Sequence, residues 1–363
     1  VTLFRRALSA KIVPPQTLMI MSKGNLSILF LAAIFAVTGC NESNRYYTID
    51  GTTQGTTFHI VFQPQVSSDS SFAAVRDSVN AILERIDFSV SGYNKESVLT
   101  AFNEEGNPHV DKIFLDNFLS SRKMTEESGG VFDASAAPLF DLWGFGFKTG
   151  TEVTQAMIDS VLQFVGMEHF RVDSLKARDG SDSILIQRDD PRCKLNFNAI
   201  AQGYTSDLIA AKFSEMGMEN YLVEVGGEVY AKGVNPKGKL WNVGIDRPVD
   251  GNNSPGVDIQ AVVRISGRGL VTSGDYRKFY IKDGKKISHS INPKTGYPVE
   301  HNLLSATVVA ENATIADGYA TYLMVLGLDK ARQVVETNEN IEALLIFSDG
   351  DSLKVWTSEG IFY

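Results

Sequence analysis

Three motifs between Thr272 and Thr321 gather the residues of this chain best suited to holding and moving charged groups. They are Thr272-Ser273-Gly274-Asp275-Tyr276, His289-Ser290-Ile291-Asn292-Pro293-Lys294-Thr295-Gly296 and Ala316-Asp317-Gly318-Tyr319-Ala320-Thr321. The last lies in a segment with helical patterning, where a four-residue spacing puts Asp317 and Thr321 on one face, about one turn apart. A carboxylate and a hydroxyl so placed offer two hard oxygens to a small divalent cation such as Mg²⁺. That ion takes only one or two protein carboxylates and fills its remaining positions with water and substrate phosphate. The alternative is a surface aspartate and a threonine bonded back to its own helix.

Those groups need a scaffold to position them. Segments 46–50 and 56–62 read as strands, joined by the turn Gly51-Thr52-Thr53-Gln54-Gly55. Residues 72–88 read as an amphipathic helix with Val75, Val79, Ile82, Leu83 and Ile86 at helical spacing, and 113–128 as a second, stopped by Gly129-Gly130. A third helix is expected over 198–216, with Asn198 as its N-cap and Gly217 as its stop. Its start would present unpaired N–H groups to a phosphate. Small, aromatic and glycine residues alternate without a core period through 132–139 and 142–146. That composition suits a groove where backbone approaches a flat ligand, and equally a buried irregular loop. Strands expected at 221–225, 229–232, 241–245, 259–265, 276–282, 305–310, 341–347 and 352–357 surround the helix of Asp317. The alternation is too irregular for a doubly wound parallel sheet, and no dinucleotide fingerprint follows a first strand. The expected fold class is therefore α+β: mixed, largely antiparallel sheets flanked by helices, as two subdomains with the ligand groove between them.

Composition and the N-terminal stretch narrow the class further. Residues 1–39 read as a signal peptide, with the residues before Met21 as an overextended start. Met21-Ser22-Lys23 opens a basic region, and the apolar run 26–37 is too short to anchor across a bilayer. Val37-Thr38-Gly39-Cys40 resembles a bacterial lipobox, which makes Cys40 the expected lipidation site and 40–45 a lipidated tether. An ordinary secretory signal or a short buried helix is the alternative. A formal charge of −9 without a basic stripe argues against a nucleic-acid binder. With two cysteines and one assigned to lipid, a disulfide framework is excluded, and Cys193 reads as a small buried apolar residue.

Taken in order, the motifs carry a resemblance. Gly51-Thr52-Thr53-Gln54-Gly55-Thr56, Ser91-Gly92-Tyr93 with Phe102-Asn103, Gly130-Val131-Phe132-Asp133-Ala134-Ser135 and Leu142-Trp143-Gly144-Phe145-Gly146 come first. Asn198-Ala199-Ile200-Ala201-Gln202-Gly203-Tyr204-Thr205-Ser206-Asp207, Val225-Gly226-Gly227-Glu228 and the three motifs above complete the series. Each alone is weak, but in this order the chain resembles the FAD:protein FMN transferases, the ApbE-like flavin transferase family of bacterial lipoproteins. The resemblance implies that 46–363 is a flavin transferase domain of two interleaved subdomains. It implies an enzyme that uses Mg²⁺ and FAD to attach FMN, through its phosphate, to a Thr or Ser hydroxyl of a target protein, releasing AMP. It also implies a metal site of Asp317, Thr321 and the Ala199 carbonyl. FAD contacts are implied at Gln54, Ser91, Gly92, Tyr93, Asp133, Ala134, Ser135, Asn196, Gln202 and Ile291. The chain departs from the family pattern at Gln202, where many relatives have Lys or Glu, at Gln54 for Met and at Asn196 for Asp.

His289 falls where a histidine is proposed to act on the incoming hydroxyl, and an imidazole titrates near neutral pH. A structural turn histidine is the alternative, and Asp275 would either orient it or cap the following segment. Displacement at a pyrophosphate phosphorus is accelerated chiefly by positioning and by neutralising phosphate charge. Two other activities fit the same residues: an FAD pyrophosphatase yielding FMN and AMP, or a lipid-tethered FAD-binding protein without turnover. The implied acceptors are exported or membrane-bound proteins such as redox-pump subunits. The expected location is a membrane-anchored, exported lipoprotein facing the periplasm or cell exterior.

Overall fold

A computed structural model describes residues 45–66, 68–145, 152–176, 182–250, 252, 256–276, 279–282 and 285–361. Cys40, the expected signal peptide and most of the expected tether lie outside the described residues, as does Gly146. Strands β1 (Tyr47–Thr53) and β2 (Thr56–Gln63) pair antiparallel through Gln54 and Gly55. Both turn residues have positive φ, 49° and 74°, as a tight two-residue hairpin turn requires. Helix α1 (Asp69–Val90) is capped by Ser68, whose Oγ accepts from the Ser71 N–H, and buries Val75, Val79, Ile82, Leu83 and Ile86. A short helix α2 (Val98–Thr100) runs into a π-helical turn, Ala101–Glu105, and β3 (His109–Val110) follows. Asp111 caps α3 (Lys112–Glu127), accepting from the Phe114 N–H at 2.8 Å.

Helices α4 (Ala137–Leu142) and α5 (Gln155–Leu162) precede β4 (Phe170–Lys176) and β5 (Asp182–Arg188), which join β3 in a small antiparallel sheet of order β3-β5-β4. Then come α6 (Ala201–Glu215), β6 (Asn220–Val225), β7 (Glu228–Lys232), the ribbon β8 (Trp241–Asp246) with β9 (Ile259–Ile265), and β10 (Arg268–Gly274). A second ribbon, β11 (Phe279–Lys282) with β12 (Lys285–Ser288), leads to β13 (Leu303–Ala310). The chain continues as α7 (Ala313–Leu326), α8 (Leu328–Thr337), β14 (Glu342–Asp349) and β15 (Ser352–Thr357).

Eight strands form one antiparallel sheet in the order β1-β2-β6-β7-β10-β13-β14-β15. Its central strands are apolar on both sides because both faces are covered. Ala306, Val308, Ala343 and Leu345 pack under α7 and α8. Their neighbours Val309, Leu344 and Ile346 pack with Trp241, Ile245 and Val263 of the β8–β9 ribbon. A third cluster sits between α1, α3, α6 and strands β1, β2 and β6, around Phe62, Phe114, Phe213 and Tyr221. All paired strands named here are antiparallel, and a lone bridge between Ala136 and Lys194 is parallel, so the α+β expectation holds. Residues Asn41–Tyr363 hold together as one unit. Among the described residues no helix is long and apolar enough to cross a membrane.

Several element boundaries differ from the sequence expectation. Helix α6 begins at Ala201, and Asn198 is not its cap: the Asn196 side chain accepts the Asn198 N–H at 2.8 Å, turning the chain before the helix starts. The strand expected over 276–282 is a turn at Asp275–Tyr276, with β11 beginning at Phe279. Helix α8 was not expected; Gly327, at φ 77°, ends α7 and starts it.

Candidate active site

Asp317 sits where α6, α7 and β10 meet. The approach of α6 to α7 depends on Gly203, since a Cβ there would lie 2.4 Å from the Ala313 carbonyl oxygen and 2.9 Å from Asp317 Cβ. Gly269 does the same for β10, where a Cβ would come within 2.2 Å of Ala313 N. At this junction Asp317 Oδ2 accepts the Gly203 N–H at 3.1 Å. Gly203 is the third residue of α6, so the bond satisfies one of the helix's unpaired first-turn donors. In return Asp207, one turn along α6, accepts from the N–H groups of Ala313 and Thr314, both at 2.8 Å, and from the Thr314 hydroxyl. Each helix start is thus held by a carboxylate of the other helix.

Asp317 is only 4% exposed. Burial pushes its pKa up to about 7, against the pull of the Gly203 bond and with a further push from Asp207. Among the described residues no Lys, Arg or His pairs with it. One turn on, Thr321 Oγ1 lies 3.5 Å from Ser273 Oγ of β10. Ala199 packs against the same cluster as Ala313, Ala316 and Ala320. A buried carboxylate lacking a counter-cation, with hydroxyl oxygens beside it, is a donor set that fits a small hard cation.

Of the FAD-contact residues implied by the resemblance, Gln54 and Gln202 lie at α6, and the others are held by contacts of their own. Gln54 Nε2 donates to Thr205 Oγ1 at 2.8 Å, laying the β1–β2 turn on α6. The Gln202 amide lies against Gly226, where a Cβ would come within 2.5 Å of Nε2. Asp133 Oδ1 accepts from Ser135 N at 2.8 Å and Ser135 Oγ at 2.6 Å, while Ser135 Oγ accepts the Gly166 N–H. Burial raises the Asp133 pKa, opposed by the two Ser135 bonds. Asn196 N donates to the Ala134 carbonyl at 2.8 Å, so the Asp133 loop and the approach to Ala199 run side by side. Asn103 links α2's π turn to the same strip, through bonds with both backbone groups of Leu195. Ser91 ends α1, and its carbonyl accepts the Ser97 hydroxyl; Gly92 is half-buried and Tyr93 is 68% exposed.

His289 lies across an aromatic wall. Its ring meets Phe145 edge-on at 6.4 Å, Phe145 packs on Tyr280 at 5.3 Å, and the Tyr280 hydroxyl donates to the Trp143 carbonyl. Trp143 Nε1 donates to the Gly296 carbonyl at 2.7 Å, tying in the far end of the His289 motif. Ile291 is buried with Ala136 and Leu139, joining this motif to the Asp133 loop. Asp275 is buried and 3.9 Å from His289 Nδ1, beyond hydrogen-bond reach, while its Oδ1 accepts the Ser290 hydroxyl at 2.5 Å.

Asp207, Ser273 and Ser290 stand within the motifs read from the sequence, but none of them was given a role in the site. A usable signal for Asp207 is its spacing, since Gly203 and Asp207 are four apart and share a helix face. Two hollows, of about 430 Å³ beside Arg85 and Phe88 and about 500 Å³ beside Tyr322 and Asn338, are not lined by any predicted site residue.

An antiparallel sheet whose one end gathers a buried carboxylate, hydroxyls, an aromatic wall and a histidine describes an α+β protein with a polar site at a sheet end. The chain belongs to the ApbE family, whose profile matches residues 54–345. The FAD:protein FMN transferase of Salmonella typhimurium strain LT2 is 34% identical over 341 residues, covering 90% of this chain and 94% of that protein. The FAD:protein FMN transferase of Haemophilus influenzae is 30% identical over 335 residues, covering 91% and 94%. Among solved structures, the flavin transferase ApbE from Vibrio cholerae matches with TM-score 0.72 at 29% identity, over 87% of this chain and 97% of that one. The apo form of the Pseudomonas stutzeri flavinyl transferase ApbE matches with TM-score 0.74 at 28% identity, over 87% and 95%.

Proposed function

We propose that this chain catalyses the reaction for which its relatives are named, the transfer of FMN from FAD to a protein. It is a transferase enzyme with FAD as substrate. The observation that carries the finer reading is the buried Asp317 carboxylate, one helical turn from Thr321 and without a counter-cation among the described residues. Asp317, Thr321 and the Ala199 carbonyl would hold Mg²⁺, which when bound neutralises charge on the diphosphate. Asp133, Ala134, Ser135, Asn196, Gln202, Gln54, Ile291 and the Ser91–Tyr93 loop would hold FAD. A Thr or Ser hydroxyl of the acceptor attacks the FMN-side phosphorus, the bond to the AMP oxygen breaks, and AMP leaves. His289 takes the hydroxyl proton, and Asp275, through Ser290, steadies the loop that carries it.

Lipid on Cys40 would tether the enzyme outside the cytoplasm, where exported or membrane-bound redox proteins such as redox-pump subunits would be its acceptors. The test is incubation with FAD, Mg²⁺ and a candidate acceptor. Flavin fluorescence on the acceptor after denaturing electrophoresis supports the transfer. Free FMN and AMP without labelling would make the chain a pyrophosphatase, and unchanged FAD would make it a binding protein.

A further inference from the structure

The two ends of the large sheet differ in character. Gln54, Gly226 and Gly274 mark the end that carries the candidate site. At the other, Tyr47, Phe62, Tyr221 and Lys232 lie in one row across four strands, and there the described chain begins. Tyr46 is fixed at this entry: its hydroxyl donates to the Val234 carbonyl at 2.8 Å, and its ring meets Trp241 edge-on at 6.2 Å. The neighbouring turn, 233–240, is braced by Asn235. Its Oδ1 accepts from the N–H groups of Lys237 and Lys239, and its Nδ2 donates to the Leu240 carbonyl at 2.8 Å.

So braced, the turn holds Val234 (37% exposed) and Leu240 (45% exposed) outward. Lys237 and Lys239 are exposed beside them, while Arg45, also exposed, holds its guanidinium over the Tyr47 ring at 4.8 Å. Neither turn lysine has a carboxylate partner among the described residues, whereas Lys232, just before, pairs with Glu219 at 3.2 Å. In a chain of net charge −9, a patch with two cations, two outward aliphatics and the half-buried Tyr46 is unusual. It matches what favours a bilayer interface: apolar side chains for the acyl boundary, aromatics at headgroup depth, and cations for anionic lipid. The six residues from Cys40 to Arg45 reach at most about 20 Å, so a lipid on Cys40 would bring this end of the sheet to the membrane.

We propose that Tyr46, Val234, Lys237, Lys239 and Leu240 form a seating face for an anionic lipid surface. Tether and face together hold the candidate site at the far end of β1, about 20 Å above the headgroups. The acceptor's hydroxyl must then be presented at that height. The proposal takes its setting from the tether reading, but the face can be tested without the lipid.

Residues 41–363 form one unit with its own core and lack Cys40. This fragment is to be co-sedimented with vesicles of phosphatidylglycerol and phosphatidylcholine, and with phosphatidylcholine alone. Binding to the anionic vesicles is expected, weakening with salt. The Lys237→Gln, Lys239→Gln double variant should lower partitioning by about 30-fold, and Lys330→Gln, on exposed α8, should leave it unchanged. An environment-sensitive dye on Leu240→Cys should shift to the blue on binding, with buried Cys193 out of its reach. No preference for anionic vesicles, no response to the double variant, or an unshifted dye overturns the proposal. The tether reading fails separately, if mass spectrometry of the full chain from membranes shows no lipid on Cys40.

Discussion

Replacing Asp317 with asparagine separates the fold from the chemistry. Burial raises this carboxyl to about 7 from an ordinary 3.8, so between those values the metal-free folded protein holds a proton that the unfolded chain has released. The stability this group contributes is therefore fully present below about pH 4 and is lost as pH rises through 7. At pH 8 the wild type carries a buried charge that, among the described residues, is balanced only by the Gly203 N–H and the start of α6. The difference in pKa puts its cost at roughly 4 kcal/mol as an upper bound. An asparagine keeps the shape and can keep the Gly203 bond without the charge. In EDTA, Asp317→Asn should melt with a weaker fall between pH 5 and 8 than the wild type, and above it at pH 8. Mg²⁺ at pH 8 should raise the wild-type Tm, more so than at pH 5.5, and leave the variant unmoved. FMN transfer by the variant should be abolished. Should Asp317→Asn melt below the wild type at pH 8 in EDTA, or still respond to Mg²⁺, the charge argument and the cation site fail together.

Other consequences follow from single contacts. His289→Ala should slow transfer while FAD, followed by flavin fluorescence, stays bound; lost binding would make the residue a cofactor contact instead. Gly203→Ala drives a methyl into the Ala313 carbonyl and should cost about 1–3 kcal/mol in urea unfolding and weaken the Mg²⁺ response. Asp207→Ala strips α7 of three hydrogen bonds to its first turn and should cost about 2–3 kcal/mol; a loss under about half a kcal/mol would deny the cap.

Much of this architecture was legible from residue patterning because it is local. Alternation in β2 placed Phe58, Ile60 and Phe62 on one buried face, and the spacing of Val75, Val79, Ile82 and Ile86 marked the inner side of α1. The Asp317–Thr321 pair was equally visible, since four residues on a helix fix a shared face. What meets that pair was not. Gly203 and Asp317 are 114 residues apart, and their bond is a consequence of how α6 crosses α7. Local competition also defeated pattern at boundaries. Asn198 has the right type for a cap, but the turn that Asn196 makes by accepting its N–H holds it ahead of the helix, and Ile200 stands at the N-cap position. In the same way α7 and α8 share one near-continuous helical pattern, which only the positive φ of Gly327 divides.

The arrangement of α6 and α7 explains why a costly buried aspartate belongs to this fold. Asp207 and Asp317 run in opposite directions between the two helices, each carboxylate meeting the other helix near its start. Asp207 spends its oxygens on three donors, so its charge is satisfied within the protein even as burial raises its pKa. Among the described residues Asp317 has one donor and Asp207's charge nearby, so its own charge is left wanting a positive partner. One member of the pair therefore builds the junction, and the other leaves it poised for a cation. Because both sit on the same two helices, a bound cation would tighten the crossing that positions Gln202 and Thr321. Cation binding and the rigidity of the second half of the sheet should rise together, with slower amide exchange across α7 in Mg²⁺ than in EDTA. Asp317→Asn should erase that difference, while Asp207→Ala should speed exchange at the start of α7 in both buffers.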